Sequence, residues 1–185
     1  MNVQLPLHME KSAFLAWVQG REGRYELADG RVVMMVGASR AHALIVRNLV
    51  LILHGQLDPQ EWTVLAEFGL DGGPETLRYP DIVVDRAQGS GGDYTATAPV
   101  LVAEVLSPST ASVDLGDKAA EYLQLPTVLA YLVFAQDEPK AWVWLRGSTD
   151  SRPPTAISGI DKVIHVAGLK LALPLGAIYA GVDAP

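Results

Sequence analysis

Apolar positions along this chain switch between two spacings, and each switch predicts an element. In residues 9–19, Phe14, Leu15 and Val18 recur at helical spacing, and Gly20 offers an end. Arg24–Leu27 and Arg31–Met35 flank Ala28-Asp29-Gly30, a two-residue hairpin signal. Ser39 is placed to cap a long helix from Arg40 to Leu57, with Leu44, Ile45, Leu49, Ile52 and Leu53 on one face and Asp58-Pro59 as the stop. Strand patterns cover Thr63–Phe68 and Tyr79–Val84, with Asp71-Gly72-Gly73-Pro74 as a turn between them. Residues 86–99 read as a flexible surface loop. The run Val100–Leu106 is a strand, and Ser107-Pro108-Ser109-Thr110 punctuates the entry to a helix ending near Leu125. Val128–Ala135, Lys140–Arg146, Val163–Val166 and Leu169–Leu173 read as further strands, and residues 147–160 as a polar loop. The pattern predicts a single mixed α/β domain over residues 1–185, with a sheet built mostly from hairpins.

One run breaks its own pattern. Val100–Leu106 has the apolar, β-branched profile of a buried strand, yet Glu104 stands inside it. A carboxylate there is costly unless something pairs with it. A second acid, Asp81, opens the apolar run Ile82-Val83-Val84. Two short strands each presenting an acid suit a hard divalent cation such as Mg²⁺, and the backbone carbonyl of Val105 could add a third ligand. The plainer alternatives are a turn acid for Asp81 and a solvent-facing edge residue for Glu104.

Asp114, Lys118 and Tyr122 follow at i, i+4 and i+8, which places them on one helix face. Lys118 could reach back toward the acids. By spacing alone, a surface ion pair with Asp114 is the preferred reading. Glu26 and His42 are further candidates for a supporting acid or base, although by spacing each is an exposed residue. The remaining histidines show no ligand spacing, and no glycine-rich phosphate loop is present.

Composition narrows these options. Apolar residues make up 49% of the 185 and charged residues 19%, the balance of a globular chain. No apolar run reaches membrane-spanning length. Residues 1–10 lack a basic-then-apolar leader pattern, and there is no cysteine, so disulfides and thiolate metal sites are excluded; both facts fit a cytoplasmic protein. The net charge of −7 argues against clamping long nucleic acid by charge alone. Residues 1–50 nevertheless carry six Lys/Arg against four Asp/Glu.

Taken together, these motifs resemble a known family. The hairpin Tyr25-Glu26-Leu27-Ala28-Asp29-Gly30, His42 near the start of the long helix, Tyr79-Pro80-Asp81-Ile82-Val83-Val84, and the block Glu104–Thr110 followed by Asp114, Lys118 and Tyr122 are similar to the Uma-two family of restriction endonucleases in the PD-(D/E)XK nuclease superfamily. The resemblance runs from about residue 10 to residue 180. It implies a restriction-endonuclease-like fold, a central mixed sheet flanked by helices. It also implies a Mg²⁺-dependent (or Mn²⁺-dependent) endonuclease acting on DNA, and a homodimer is the expectation for a small nuclease that must meet two strands. Asp81 and Glu104 would be the metal-binding acids, with Val105, and Glu26 and His42 would be supporting groups. The superfamily's lysine stands two residues after the second acid, where this chain has Leu106, and Lys118 matches the family's replacement from the following helix. The chain departs from the family at Leu125-Pro126-Thr127, which lacks the usual glycine, and at Phe134-Ala135, where an aspartate often stands. A non-catalytic module that keeps the nuclease-like fold to bind a protein or nucleic acid is the alternative.

Overall fold

The computed structural model describes residues 3–35, 37–107, 111–147 and 153–183. In chain order the elements begin with β1 (Val3–His8), α1 (Lys11–Val18), β2 (Arg24–Ala28) and β3 (Arg31–Met35). Next come α2 (Arg40–Gln56), β4 (Trp62–Ala66), β5 (Leu70–Gly73), β6 (Thr76–Arg78) and β7 (Ile82–Arg86). Then follow β8 (Leu101–Val105), α3 (Ala111–Leu115), α4 (Asp117–Gln124), β9 (Ala130–Phe134) and β10 (Lys140–Leu145). The chain continues through β11 (Thr155–Ser158), β12 (Val163–Val166), β13 (Leu171–Pro174) and α5 (Leu175–Ile178).

The central sheet has six strands in the order β11-β10-β9-β8-β7-β4. Its β8–β9 pair is parallel and its other pairs antiparallel, so the sheet is mixed, as expected. Alternation along β8 sends Leu101, Ala103 and Val105 into the core beneath α2, β12–β13 and α5. Val102 points the other way, with Val83, Tyr131 and Val133, toward Ala119 and Tyr122 of α4. Glu104 continues that second face. A second sheet, β1-β3-β2-β6-β5, packs Leu27, Val32 and Leu77 against Phe14 of α1.

Local signals set several elements as read. Asp29 and Gly30 both take positive φ, 49° and 73°, the geometry of a two-residue turn matched to strand twist. A side chain at Gly30 would also meet the His8 ring at 2.4 Å. The His42 N–H donates to Ser39 Oγ at 3.1 Å, capping α2. Asn48, buried on α2, donates to the carbonyls of Ile178 (2.8 Å) and Ala180 (3.0 Å), which ties α5 down. Asn48→Ala strands both carbonyls and is expected to cost about 2 kcal/mol in urea unfolding.

Other expectations need correction. The segment around Asp71-Gly72-Gly73-Pro74 is not a bare turn: β5 and β6 form a hairpin there and join the second sheet through Leu27↔Leu77. The loop at 147–160 contains β11, which pairs with β10 and so extends the central sheet. The single helix expected before Leu125 is two, α3 and α4, broken at Gly116 (φ −118°, ψ −87°). Pro108, Ser109 and Thr110, expected to punctuate its entry, lie outside the described residues. The loop from residue 87 to 100 is held at its base by buried Asp85, which accepts the Thr97 and Ala98 N–H groups at 2.8 and 2.7 Å.

Candidate active site

The site forms where the β6–β7 connection, the end of β8 and the helix α4 meet. Strand β7 pairs with β8 through Ile82↔Ala103, and one further step in that register sets Asp81 across from Glu104. The Val105 N–H donates to Asp81 Oδ2 at 2.7 Å, fixing the carboxylate against the end of β8. His42 Nε2 lies 3.0 Å from Asp81 Oδ1, so the first turn of α2 closes over the same acid. Further bonds hold that turn in place. The Ser39 hydroxyl donates to Gln136 Oε1, and Gln136 Nε2 donates to the Leu106 carbonyl.

Glu104 sits on an interior strand and is 4% exposed, not an edge residue facing water. Lys118 is equally buried. Its ammonium donates to Glu104 Oε1 at 2.9 Å and lies 3.0 Å from Asp114, so the surface pair suggested by spacing is instead an interior network. The Tyr122 hydroxyl donates to the same Glu104 oxygen at 3.1 Å. Burial, together with the neighbouring charges of Asp81 and Asp114, pushes the Glu104 carboxyl up to about 8, and Lys118 restrains the rise. Burial opposes the charge on Lys118, but the carboxylates of Glu104, Glu26 and Asp114 outweigh it and raise the ammonium well above its ordinary range. Lys118 is therefore a fixed positive charge.

Glu26, on β2, is also buried rather than exposed, at 2%. Arg78, the last residue of β6, donates to Glu26 Oε1 at 3.0 Å and forks onto both oxygens of Glu121 on α4, at 2.8 and 2.6 Å. Burial weighs against the guanidinium's charge, but Glu121 and Glu26 more than offset it. Glu26 Oε2 is buried with no hydrogen-bond partner among the described residues. Pattern reading overlooked Arg78 and Glu121. The available signal was an arginine inside an otherwise buried segment, three residues ahead of Asp81.

Asp81 and Glu104 thus face each other as two carboxyl groups with oxygen-only chemistry, with the Lys118 ammonium 2.9 Å from Glu104 as the cation already beside them. Among the described residues no group of three or more His, Cys, Asp or Glu is arranged to hold a metal ion. Two carboxylates with water completing the shell is a set that suits Mg²⁺. A third protein ligand would have to come from backbone oxygen, such as that of Val105.

Comparison with known proteins follows the same lines. The Uma2 family model, described as "Putative restriction endonuclease", matches residues 12–176. Two uncharacterized proteins of Synechocystis sp. are 29% and 28% identical over 128 and 122 residues. Those matches span 65% and 60% of this chain, and 65% and 66% of the relatives' own lengths, just under two thirds. A crystal structure from Anabaena variabilis, titled as a putative nuclease belonging to DUF820, superposes with a TM-score of 0.76 at 16% identity. It covers 95% of this chain and 99% of the other, so the two share a fold. No helix among the described residues is long and apolar enough to cross a membrane.

Proposed function

The chain belongs to the Uma2 family, described as "Putative restriction endonuclease", and on that premise we propose that it is a metal-dependent endonuclease hydrolysing DNA phosphodiester bonds. The observation that carries the reading is the facing pair Asp81 and Glu104, with the Lys118 ammonium 2.9 Å from Glu104. Asp81, Glu104 and the Val105 carbonyl would hold Mg²⁺ or Mn²⁺. When bound, such an ion polarises a phosphoryl oxygen and lowers the pKa of a coordinated water.

The chain's own residues supply the rest. Lys118 brings a permanent positive charge to the side of Glu104, where it can stabilise negative charge building on the phosphate. His42 and the Val105 N–H each engage one oxygen of Asp81, so that carboxylate is oriented before any ligand arrives. Tyr122 and Lys118 do the same for Glu104 Oε1. Glu26 contributes negative charge beside Lys118 and keeps it protonated.

Plasmid and single-stranded DNA incubated with purified protein and Mg²⁺ or Mn²⁺ test the proposal. Cleavage that needs the ion and disappears in Glu104→Ala supports it; no cleavage, or cleavage unchanged by the substitution, overturns it.

Ion binding carries a pH signature. The folded Glu104 carboxyl holds its proton up to about pH 8, and only the carboxylate is a ligand. Mn²⁺ affinity measured by calorimetry is expected to rise by about tenfold per pH unit from pH 6 toward 8 and then level off, with about one proton released per ion. In the metal-free protein the sign runs the other way. A raised carboxyl contributes stability below its unfolded value, near 4.5, and loses it as pH climbs through 8.

One observation favours the alternative of a non-catalytic binding module. Glu104 and Lys118 already satisfy each other within a closed, buried network. Absence of Mn²⁺ binding at pH 8 would support the module; binding abolished by Asp81→Ala would support the nuclease.

A further inference from the structure

We infer that Arg78 is a positioning residue for Lys118: its fork onto Glu121 helps fix α4 at the rotation that aims the lysine at Glu104. The inference rests on the nuclease reading for its catalytic meaning, while the tether itself is a matter of geometry.

Helix α4 is held at several points: the Tyr122 hydroxyl on Glu104, the Tyr122–Tyr131 ring contact, and Arg146 Nη2 donating to the Leu123 and Leu125 carbonyls at its C-terminal end. It begins immediately after the break at Gly116, and no side chain caps its N-terminus. It is eight residues long, short enough that its own backbone bonds do not hold it against neighbouring segments. Its apolar contacts, Ala119 and Tyr122, fasten one stripe to the central sheet. Leu123 packs beside them, and at the turn between Lys118 and Glu121 the Arg78 fork is a further tether, to β6. A shift of one residue turns a helix by about 100°, enough to swing Lys118 off Glu104.

Arg78 adds a constraint at the turn that carries Lys118 and Glu121. Its Nε and Nη2 reach both oxygens of Glu121 at 2.8 and 2.6 Å, a planar two-point contact that sets orientation as well as distance. Glu121 lies three residues from Lys118, so the two charges bracket one turn. The third contact, from Nη1 to Glu26 at 3.0 Å, anchors the guanidinium to β2. Arg78 also stands three residues ahead of Asp81 on a continuous stretch of chain, and the Glu67 N–H donates to the Asp81 carbonyl at 3.2 Å at the end of that stretch. One side chain therefore ties the segment presenting the first acid to the helix presenting the lysine. A role limited to stability would not need the fork, because a buried ion pair replaced by well-packed apolar groups is often neutral.

Arg78→Lys keeps the charge and removes the fork; Glu121→Gln keeps the size and weakens the same contact. Both are assayed on the full chain at a temperature where circular dichroism shows it folded. We expect kcat for Mg²⁺-dependent DNA cleavage to fall by about 30-fold, the scale of outer-shell substitutions. KM for DNA should stay within about threefold, because neither substitution touches Asp81 or Glu104. An unchanged kcat, or kcat and KM worsening in step, overturns the inference.

Crystal structures of the wild type and Arg78→Lys provide an arm that does not depend on activity. Lys118 Nζ is expected within hydrogen-bonding reach of Glu104 Oε1 in the first and beyond it in the second. An unmoved lysine overturns the inference, and Glu121→Gln replaces Arg78→Lys if that variant fails to fold. A wild type that cuts nothing with either ion overturns the nuclease reading, and the tether then stands or falls on the crystal structures.

Discussion

Arg78→Ala is expected to lower folding stability by about 3–5 kcal/mol, the largest effect of any single substitution at the site. The guanidinium is 4% exposed and makes three hydrogen bonds to two carboxylates. Removing it strands those carboxylates unequally. The Glu121 side chain is 26% exposed and can turn toward water. Glu26 cannot, because it is 2% exposed and one of its oxygens already lacks a partner. Most of the loss therefore comes from an uncompensated charge at Glu26. Urea unfolding checks the size of the loss, and the double variant Arg78→Ala/Glu26→Gln checks its cause. The second substitution removes the stranded charge and should recover a substantial part of the stability. A loss below about 1 kcal/mol, the scale of an exposed pair, would mean the network is solvated.

Glu104→Ala is expected to reduce DNA cleavage by about a thousandfold or more. A ligand that helps place a divalent ion at the reacting phosphate contributes several kcal/mol of charge stabilisation, and each 1.36 kcal/mol is about a factor of ten in rate. The fold should survive the change. Lys118 keeps Asp114 at 3.0 Å, and the raised Glu104 carboxyl is itself a strained group in the metal-free protein. Loss of cleavage together with loss of Mn²⁺ binding, in a protein whose unfolding midpoint moves little, is the expected combination. Loss of cleavage with Mn²⁺ affinity intact would move Glu104 from ion binding to some other role.

Much of the site was legible because its signals are local. Glu104 stands out within seven residues of sequence, Asp81 opens an apolar run, and Ser39 with Asp58-Pro59 brackets the helix that carries His42. The Asp29-Gly30 turn fixes the β2–β3 hairpin in the same way. What remained hidden depends on distant pairing. Glu26 looks like an exposed strand residue until β6 is paired beside β2 and delivers Arg78, 52 positions away, onto its carboxylate. Strands β5 and β6 are short, and β5 itself ends in Gly72-Gly73 before Pro74-Glu75, so turn chemistry outweighed their strand pattern. In strand β11 only Ile157 is half-buried, so there is little apolar signal to mark it, and among the described strands it pairs with β10 alone. The break at Gly116 left no clear trace either, because Asp114, Lys118 and Tyr122 keep helical spacing across it. The division into separate sheets follows from these long-range pairings, which no window of sequence contains.

The loop between the two acid-bearing strands has a practical consequence. Asp85 clamps its base, and Ser90, Gly91 and Gly92 at its tip are exposed. It joins the ends of β7 and β8 opposite Asp81 and Glu104, and Asp85 lies about 13 Å along the strand from Asp81. The chain contains no cysteine, so Ser90→Cys would introduce a unique thiol. A spin label or fluorophore attached there would sit outside the chemistry yet close enough to feel a paramagnetic ion, giving each acid variant a distance ruler built into the same sheet.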